Sequence, residues 1–279
     1  MHHSPCDETT HSSIALEFER LEFLAVGKSG IVYGIDEERI LKEYHGEENE
    51  MDVERRAFTR LGPHANIVRY LSATGNGSII LERGQPLRTI IQQTGADQIP
   101  LDRKRRWLSG AAEGMRYLHE NGIIHADTGC HNMILVQDCL KIIDFEGCSI
   151  DGEEATSCYE WFSYQESIPP ISRTTDIFAY GCAVYEIITG RPPHHELETS
   201  NDPKRLAKRL YAEKRFPEVT DLPLAGLMQG CWHGAFGSMS EVLQALEAAG
   251  LPKTCRVDTR HSAFYLLDLM AKVFGVFWR

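Results

Sequence analysis

The order of two hydrophobic patterns along the chain limits its fold more than any other sequence feature. In the first part of the chain, short apolar runs typical of β-strands are separated by turn residues, and one helix interrupts them. The predicted strands span 21–26, 30–35, 39–44, 67–72 and 78–81. The helix is predicted over 49–61, because apolar residues recur at helical spacing up to Leu61 and a Gly-Pro pair follows.

After residue 86 the pattern becomes helical. An apolar stripe from Leu108 to Leu118 predicts a helix that ends at the pair Asn121-Gly122. The run 177–188 is apolar on every side and stops at Gly190, which is typical of a buried helix. Two amphipathic helices are predicted near 203–214 and 240–249, and short strands at 123–124, 133–136 and 140–143. The sequence therefore predicts an α+β fold in which a small strand-rich lobe is hinged to a larger helical lobe, with the ligand site between them.

Charge and targeting features restrict the partners. The 279-residue chain has 29 basic and 40 acidic residues, a formal charge of -11, which argues against nucleic acid as a partner because phosphate binding needs clustered Lys and Arg. Residues 1–17 are predicted to be a flexible N-terminus without a signal-peptide pattern, so a cytoplasmic protein with free thiols at its eight cysteines is expected.

The last segment, 251–279, is predicted to be a C-terminal extension. Its longest unbroken apolar runs are about six residues, too short for a transmembrane span. Its apolar residues can line one side of an amphipathic helix. Such a helix packs on its own chain, or binds a partner protein or a membrane surface.

Two features of the strand-rich part indicate phosphate binding. Gly27 and Gly30 lie between two predicted strands, where the missing side chains let backbone N–H groups approach a phosphate closely. Lys42 ends an apolar strand, and Glu54 lies on the helix that follows. A buried lysine needs a carboxylate partner to stay charged, and Glu54 is placed to supply one.

Three oxygen-bearing side chains follow short strands of the helical part. Asp127, Asn132 and Asp144 each lie at or just beside the end of a short apolar run. Mg²⁺ binds a few such oxygens and completes its shell with water and nucleotide phosphates. The spacing therefore predicts a magnesium site at Asn132 and Asp144, with Asp127 left to orient a hydroxyl nucleophile.

In this order and spacing, residues 18–250 resemble a eukaryotic-type protein kinase domain. The Gly-rich loop of that family matches Gly27, Gly30 and Val32, with Ala25 for its first glycine, and the V-A-I-K lysine matches Lys42. The αC glutamate falls on Glu54. The H-R-D-x-x-x-x-N loop falls on His125, Ala126, Asp127 and Asn132, and D-F-G falls on Asp144, Phe145 and Glu146. Residues 175–193 resemble the buried central helix of the large lobe, where Asp176 would brace the catalytic loop.

The resemblance implies a bilobal protein kinase-like fold with an N-lobe at 18–81, a hinge at 82–86 and a C-lobe at 87–250. It implies ATP and Mg²⁺ as cofactors, and transfer of the γ-phosphate to a hydroxyl of a protein substrate, Ser or Thr. The implied catalytic residues are Asp127, Lys42 and Glu54, and the implied metal ligands are Asn132 and Asp144. The implied ATP-binding residues are Gly27, Gly30, Val32, Ile40, Lys42, Leu81, Glu82, Gly84 and Ile134.

Several positions depart from the family pattern. Ala126 replaces an arginine that pairs with a phosphorylated activation loop, which predicts activity that does not wait for loop phosphorylation. Gly129 stands where Ser/Thr kinases carry a lysine that contacts the transferred phosphate. Glu146 replaces the glycine of D-F-G, adding a carboxylate near the metal site and removing a flexible backbone position. The activation segment, 144–166, is short and ends in a poor match to A-P-E at 163–166. The family has an arginine near 238–240 that pairs with the glutamate of A-P-E, and this sequence has none there.

Two alternative functions remain open. The departures would also fit a pseudokinase, which uses the fold as a nucleotide-binding or scaffolding module. The H-x-D…N and I-D-x-E patterns resemble small-molecule phosphotransferases of the aminoglycoside-kinase type nearly as well, whereas 64–68 and 176–193 match protein kinases.

Overall fold

A computed structural model describes residues 21–27, 30–45, 48–75 and 77–250. The predicted flexible N-terminus, 1–17, and the predicted C-terminal helix within 251–279 lie outside the described residues. No helix among the described residues is long and apolar enough to cross a membrane. The six cysteines in the described ranges are all free thiols.

The N-terminal part is an antiparallel sheet of five strands, β1 (Glu22–Val26), β2 (Gly30–Gly34), β3 (Arg39–Tyr44), β4 (Tyr70–Ala73) and β5 (Ile79–Glu82). The strand order is β1-β2-β3-β5-β4. Helix α1 (Glu48–Leu61) follows β3 and buries Glu54, Ala57, Phe58 and Leu61, which share one face at helical spacing.

The predicted strand at 67–72 begins later than expected. Ile67 forms only an isolated parallel bridge with Ile142 of the helical lobe, and the Val68 N–H donates to the Ile142 carbonyl at 3.0 Å. The sheet is joined three residues further on, at Tyr70. Residues that form a strand and residues that connect the lobes are equally apolar here. The sequence pattern therefore does not reveal that the first residues of this run connect the two lobes.

The remaining helices are α2 (Leu87–Thr94), α3 (Leu101–Glu120), α4 (Arg173–Thr189), α5 (Pro203–Ala212), α6 (Ala225–Trp232) and α7 (Met239–Ala248). Helix α4 is buried at 13 of its 17 residues, which confirms the prediction of a buried central helix. A capping box between Ser172 and Thr175 begins it, and Gly190 in the left-handed conformation ends it. Helices α2 and α6 were not predicted because each has only eight residues, too few to establish a period.

Five short strands place the loops of the cleft: β6 (Gln85–Pro86), β7 (Ile123–Ile124), β8 (Met133–Val136), β9 (Cys139–Ile142) and β10 (Ser149–Ile150). Strands β6, β8 and β9 form one antiparallel sheet, and β7 pairs with β10. The segment 125–132 therefore lies between β7 and β8, and Asp144 follows β9. The fold is the predicted bilobal α+β arrangement, with a sheet and one helix before the hinge and a mainly helical part after it.

Candidate active site

A cleft of about 2250 Å³ lies between the two lobes. Every residue predicted for catalysis, nucleotide binding or metal binding lines it. These residues are Gly27, Gly30, Val32, Ile40, Lys42, Glu54, Leu81, Glu82, Gly84, Asp127, Asn132, Ile134 and Asp144. The structure thus brings together side chains separated by more than 100 positions in sequence.

Lys42 is the centre of charge in this cleft. It lies on β3 and is 9% exposed, and its Nζ is 2.8 Å from Glu54, 2.7 Å from Asp144 and 2.9 Å from Glu146. Burial lowers the pKa of Lys42, but the three carboxylates outweigh it and raise that pKa well above its ordinary value. Lys42 is therefore charged, and four residues with a net charge of -2 meet at this point.

Glu54 connects three segments of the site. One carboxylate oxygen accepts from Lys42 and from the Tyr44 hydroxyl, and the other accepts from the Phe145 backbone N–H at 3.2 Å. The side chain is fully buried, so these contacts replace its hydration. Helix α1, strand β3 and the segment after β9 are thereby fixed relative to one another.

A column of four rings crosses the boundary between the lobes. Tyr70 and Phe58 have ring centroids 5.5 Å apart, Phe58 and Phe145 5.3 Å, and Phe145 and His125 5.6 Å. The last two pairs meet edge to face, an arrangement that aromatic quadrupoles favour. The column joins the sheet and α1 to the segment 125–132.

Asp176, near the start of α4, fixes the segment 125–132 through hydrogen bonds. Its carboxylate is fully buried and has five hydrogen-bond partners: the backbone N–H groups of His125 (2.9 Å) and Ala126 (3.1 Å), the hydroxyls of Thr128 (3.2 Å) and Tyr159 (2.8 Å), and Nε2 of His119 (2.9 Å). Burial raises the pKa of Asp176, but its bond to His119 and its other partners have the larger, opposite effect. The pKa therefore lies below its ordinary value, and the carboxyl is ionised. Ala126 lies in the left-handed region at φ 67°, so the loop is held in a conformation that alanine rarely adopts.

Asp127 and Asn132 are joined directly. Asn132 Nδ2 donates to the Asp127 backbone carbonyl at 2.9 Å and to its Oδ2 at 3.1 Å, and His131 Nε2 lies 3.1 Å from the same Oδ2. Among the described residues, Asp127 Oδ1 has no hydrogen-bond partner. Asp127 thus has one oxygen fixed by the protein and the other left without a protein donor.

The donor set fits a hard divalent cation. Carboxylate oxygens of Asp144 and Glu146 lie within 4.8 Å of each other, and the amide of Asn132 lines the same cleft. Glu54 belongs to the same carboxylate cluster, but both of its oxygens already accept from Lys42, Tyr44 and the Phe145 N–H. Burial raises the pKa of Asp144, but Lys42 outweighs it and lowers that pKa below its ordinary value, so Asp144 is ionised. Asp144 has φ 68°, whereas Glu146 lies outside the left-handed region. The family pattern has glycine at position 146, but the backbone there has a conformation that residues with side chains also adopt.

The side of the cleft that contains the predicted ATP-binding residues is built from β2, β3, the hinge and β8. Ile40 lies opposite Leu81 in the sheet register, and Val32 lies opposite Lys42. Gly84 packs against β8 so closely that a Cβ there would lie 2.9 Å from Ile134 Cδ1. Glycine at this position is thus required by the approach of the hinge to the helical lobe.

Sequence reasoning missed three residues near Asp127. Arg88, Glu160 and Glu186 form an ion-pair cluster next to His131. Glu186 lies in the stretch 175–193 that resembles the central helix, but no pattern in the sequence indicates that these three charges meet, because they lie on separate segments of the chain. The arginine expected near 238–240 as the partner of Glu166 is absent from the sequence, and Lys208 of α5 forms an ion pair with Glu166 instead.

Comparisons with known proteins agree with this geometry. The sequence profile described as "Protein kinase domain" matches residues 27–246. Human mitogen-activated protein kinase kinase kinase 6 is 32% identical over 230 residues, which cover 70% of this chain and 18% of that protein. Serine/threonine-protein kinase STY17 of Arabidopsis thaliana is 27% identical over 43% of this chain and 22% of its own. The epidermal growth factor receptor of Drosophila melanogaster is 24% identical over 61% of this chain and 13% of its own. The chain spans less than a quarter of the length of these relatives.

Proposed function

The chain belongs to the protein kinase domain family, and we propose that it transfers the γ-phosphoryl group of ATP to a serine or threonine hydroxyl of a protein. The observation that carries this proposal is the position of Lys42, whose Nζ is 2.8 Å from Glu54 and 2.7 Å from Asp144. These three side chains come from β3, α1 and the segment after β9. Their meeting in one cleft assembles the residues that a phosphoryl-transfer site of this family requires.

Each residue has a separate role in the proposal. Lys42 and the backbone around Gly27 and Gly30 bind the phosphates, and Glu54 keeps Lys42 directed into the cleft. Asp144 and Asn132 would hold Mg²⁺, which would supply positive charge against the phosphate oxygens. Asp127 orients the acceptor hydroxyl, because its Oδ2 is fixed by Asn132 while its Oδ1 has no donor among the described residues. Catalysis then depends on positioning and electrostatic stabilisation.

The adenine site is proposed at the hinge. Val32, Ile40 and Ile134 line the cleft with apolar surface, and the backbone of Glu82 and Gly84 lies beside them. Glu82 uses its side chain elsewhere, since its carboxylate accepts from the Arg69 N–H at 2.6 Å. The hinge backbone is therefore the part left to recognise a flat, polar-edged ring.

A pseudokinase is the second candidate, and one observation favours it. Glu146 lies 2.9 Å from Lys42, so a carboxylate of the protein occupies one of the positions around the lysine that a phosphate would take. A nucleotide has to compete with this contact. The alternative of a small-molecule phosphotransferase has no such observation in its favour, and the buried helix α4 covers most of the segment 176–193 that matches protein kinases.

The test is nucleotide binding followed by transfer. We expect Mg²⁺-ATP at ~100 times its Kd to stabilise the purified full chain by roughly 2.7 kcal/mol, which raises Tm by several degrees. Labelled ATP should then phosphorylate generic protein acceptors and leave aminoglycoside-like acceptors unmodified. Asp144→Asn should abolish transfer while the fold is retained, and Asp97→Asn, on an exposed turn, is the matched control.

The outcomes separate the candidates. A Tm shift that requires Mg²⁺, with transfer that Asp144→Asn removes, supports the protein kinase. A shift without metal dependence and without transfer indicates a nucleotide-binding pseudokinase. Transfer that survives in Asp144→Asn contradicts the assigned role of this residue.

A further inference from the structure

We propose that Glu160 of the activation segment takes the place of a phosphate group and holds this segment against the catalytic loop through Arg88 and His131. This inference rests on the proposed function, because it describes how the same site is kept in its competent arrangement. The catalytic loop, 125–132, has Ala126 where the family carries the arginine that pairs with a phosphorylated segment. A permanent carboxylate with its own cationic partners makes that arginine unnecessary.

Arg88 is the first partner of Glu160. Its Nη1 and Nη2 donate to the two Glu160 oxygens at 2.8 and 2.7 Å, a bidentate pair. The same guanidinium donates to Glu186 of α4 from Nε at 2.6 Å and from Nη2 at 2.9 Å. Burial raises the pKa of Glu160, but Arg88 and His131 outweigh it and lower that pKa to about 2. One arginine of α2 therefore connects the activation segment to the central helix of the lobe.

His131 is the second partner and the link to the reacting centre. Its Nδ1 lies 2.9 Å from Glu160, at an angle outside that of a hydrogen bond, and its Nε2 lies 3.1 Å from Asp127. A side chain placed between two carboxylates carries positive charge favourably. The ring also fills the space beside Gly129, where a Cβ would lie 2.7 Å from its Cε1 and Nδ1. The glycine found in place of the family's lysine thus makes room for His131.

A continuous chain of charged side chains results, from Glu186 through Arg88, Glu160 and His131 to Asp127. Each of these side chains is no more than 26% exposed, so water screens their attraction only in part. His131 and Glu160 are positioning residues, because they act on Asp127 rather than on the substrate. Serine or threonine hydroxyls are not needed at any of these contacts, so the arrangement is complete without phosphorylation.

The experiment uses the full chain after treatment with a broad-specificity protein phosphatase. Two properties are measured: hydrogen exchange of the peptide covering 155–163, and kcat and KM for ATP. Glu160→Gln keeps the size of the side chain and leaves Arg88 paired with Glu186, so the lobe remains folded. The matched control is Glu154→Gln, which removes an exposed carboxylate from the same segment.

We expect Glu160→Gln to raise exchange in 155–163 and to lower kcat by at least about tenfold, with the KM for ATP within about twofold of its original value. Glu154→Gln should change neither property. His131→Gln should lower kcat to a similar extent, and the double variant should be no worse than either single variant, because both act through one connection. Phosphatase treatment of the original chain should leave kcat unchanged.

Either of two results overturns the proposal: equal exchange in Glu160→Gln and the original chain, or a loss of activity of about tenfold or more on phosphatase treatment. Hydrogen exchange needs no turnover. If the original chain transfers no phosphate at all, the proposed function fails, while the exchange comparison still decides whether Glu160 holds the segment.

Discussion

Glu146 gives the sharpest test of the reasoning about this cleft, because the same carboxylate can hinder a nucleotide or help to hold a metal ion. The change is Glu146→Gln, which removes the charge and keeps the shape. The side chain lies 2.9 Å from Lys42 and is 15% exposed, so its charge acts in a poorly solvated place. We expect the variant to bind Mg²⁺-ATP more tightly than the original chain.

The magnitude follows from the distances. With an effective dielectric constant of about 20, the Lys42–Glu146 pair at 2.9 Å attracts by about 6 kcal/mol. The oxygens of Glu54, Asp144 and Glu146 lie within 4.8 Å of one another, so Glu146 is repelled by each of the other two by at least about 3 kcal/mol. These contributions nearly cancel, and the free energy of unfolding should change by less than about 1 kcal/mol.

A bound nucleotide changes this balance. Its phosphates bring further negative charge to Lys42 and are repelled by Glu146, whereas the neutral amide of Gln does not repel them. A repulsion of about 3 kcal/mol for charges about 5 Å apart, reduced by screening, leaves a gain of at least about 1.4 kcal/mol, or tenfold in Kd.

Isothermal titration calorimetry with ATP in the presence and absence of Mg²⁺ measures this directly. Glu37→Gln, which removes a charge from the exposed rim of the same cleft, is the control and should change Kd by less than about twofold. An unchanged Kd for Glu146→Gln would refute the electrostatic reasoning. Weaker binding that appears only with Mg²⁺ would refute it too, and would identify Glu146 as a metal ligand.

Three further predictions concern the catalytic loop. Gly129→Ala should displace the His131 ring, because the new Cβ would lie 2.7 Å from it, and kcat should fall while the KM for ATP is retained; equal kcat would contradict the packing argument. Asp176→Asn leaves five donors around a neutral group and should lower the free energy of unfolding by about 3–5 kcal/mol in urea titrations, and a loss below about 1 kcal/mol would show that the loop is held by other contacts. Burial lowers the pKa of His131, but Asp127 and Glu160 raise it from 6.5 to about 9. Its contribution to stability is therefore complete below pH 6.5 and lost as the pH rises through about 9, so the stability difference between the original chain and His131→Gln should be larger at pH 6.5 than at pH 10.

Much of the fold could be predicted because its signals are local. The 3.6-residue period of α3 and the long apolar run of α4, which ends at Gly190, are signals carried by consecutive residues, and both helices are found over the stretches that these signals indicate. Short elements escaped prediction, since α2 buries only Leu87 and Ile91 and its two contacts establish no period. The strand predicted at 67–72 begins three residues too early, because an apolar residue can serve a connection between the lobes as well as a sheet.

For the candidate site, the sequence identified the residues, whereas only the structure shows their contacts. Lys42, Glu54, Asp127, Asn132 and Asp144 stand in motifs, so their sequence spacing was sufficient to nominate them, and the structure brings all five to one cleft. What each of them contacts was not in the sequence. Glu146 could be recognised as a departure from the family pattern, but only the 2.9 Å distance to Lys42 shows what its carboxylate does.

The sequence by itself determined the succession of a strand-rich and a helical lobe, the longer helices, the family and the residues that meet in the cleft, because each depends on a period or on a fixed spacing along the chain. Only the tertiary structure decided how the activation segment is held. Arg88 lies 72 positions from Glu160 and 98 from Glu186, and contacts at such separations leave no periodic signal. They form because packing buries these groups, and a buried charge is stable only beside an opposite charge that the folded chain brings to it.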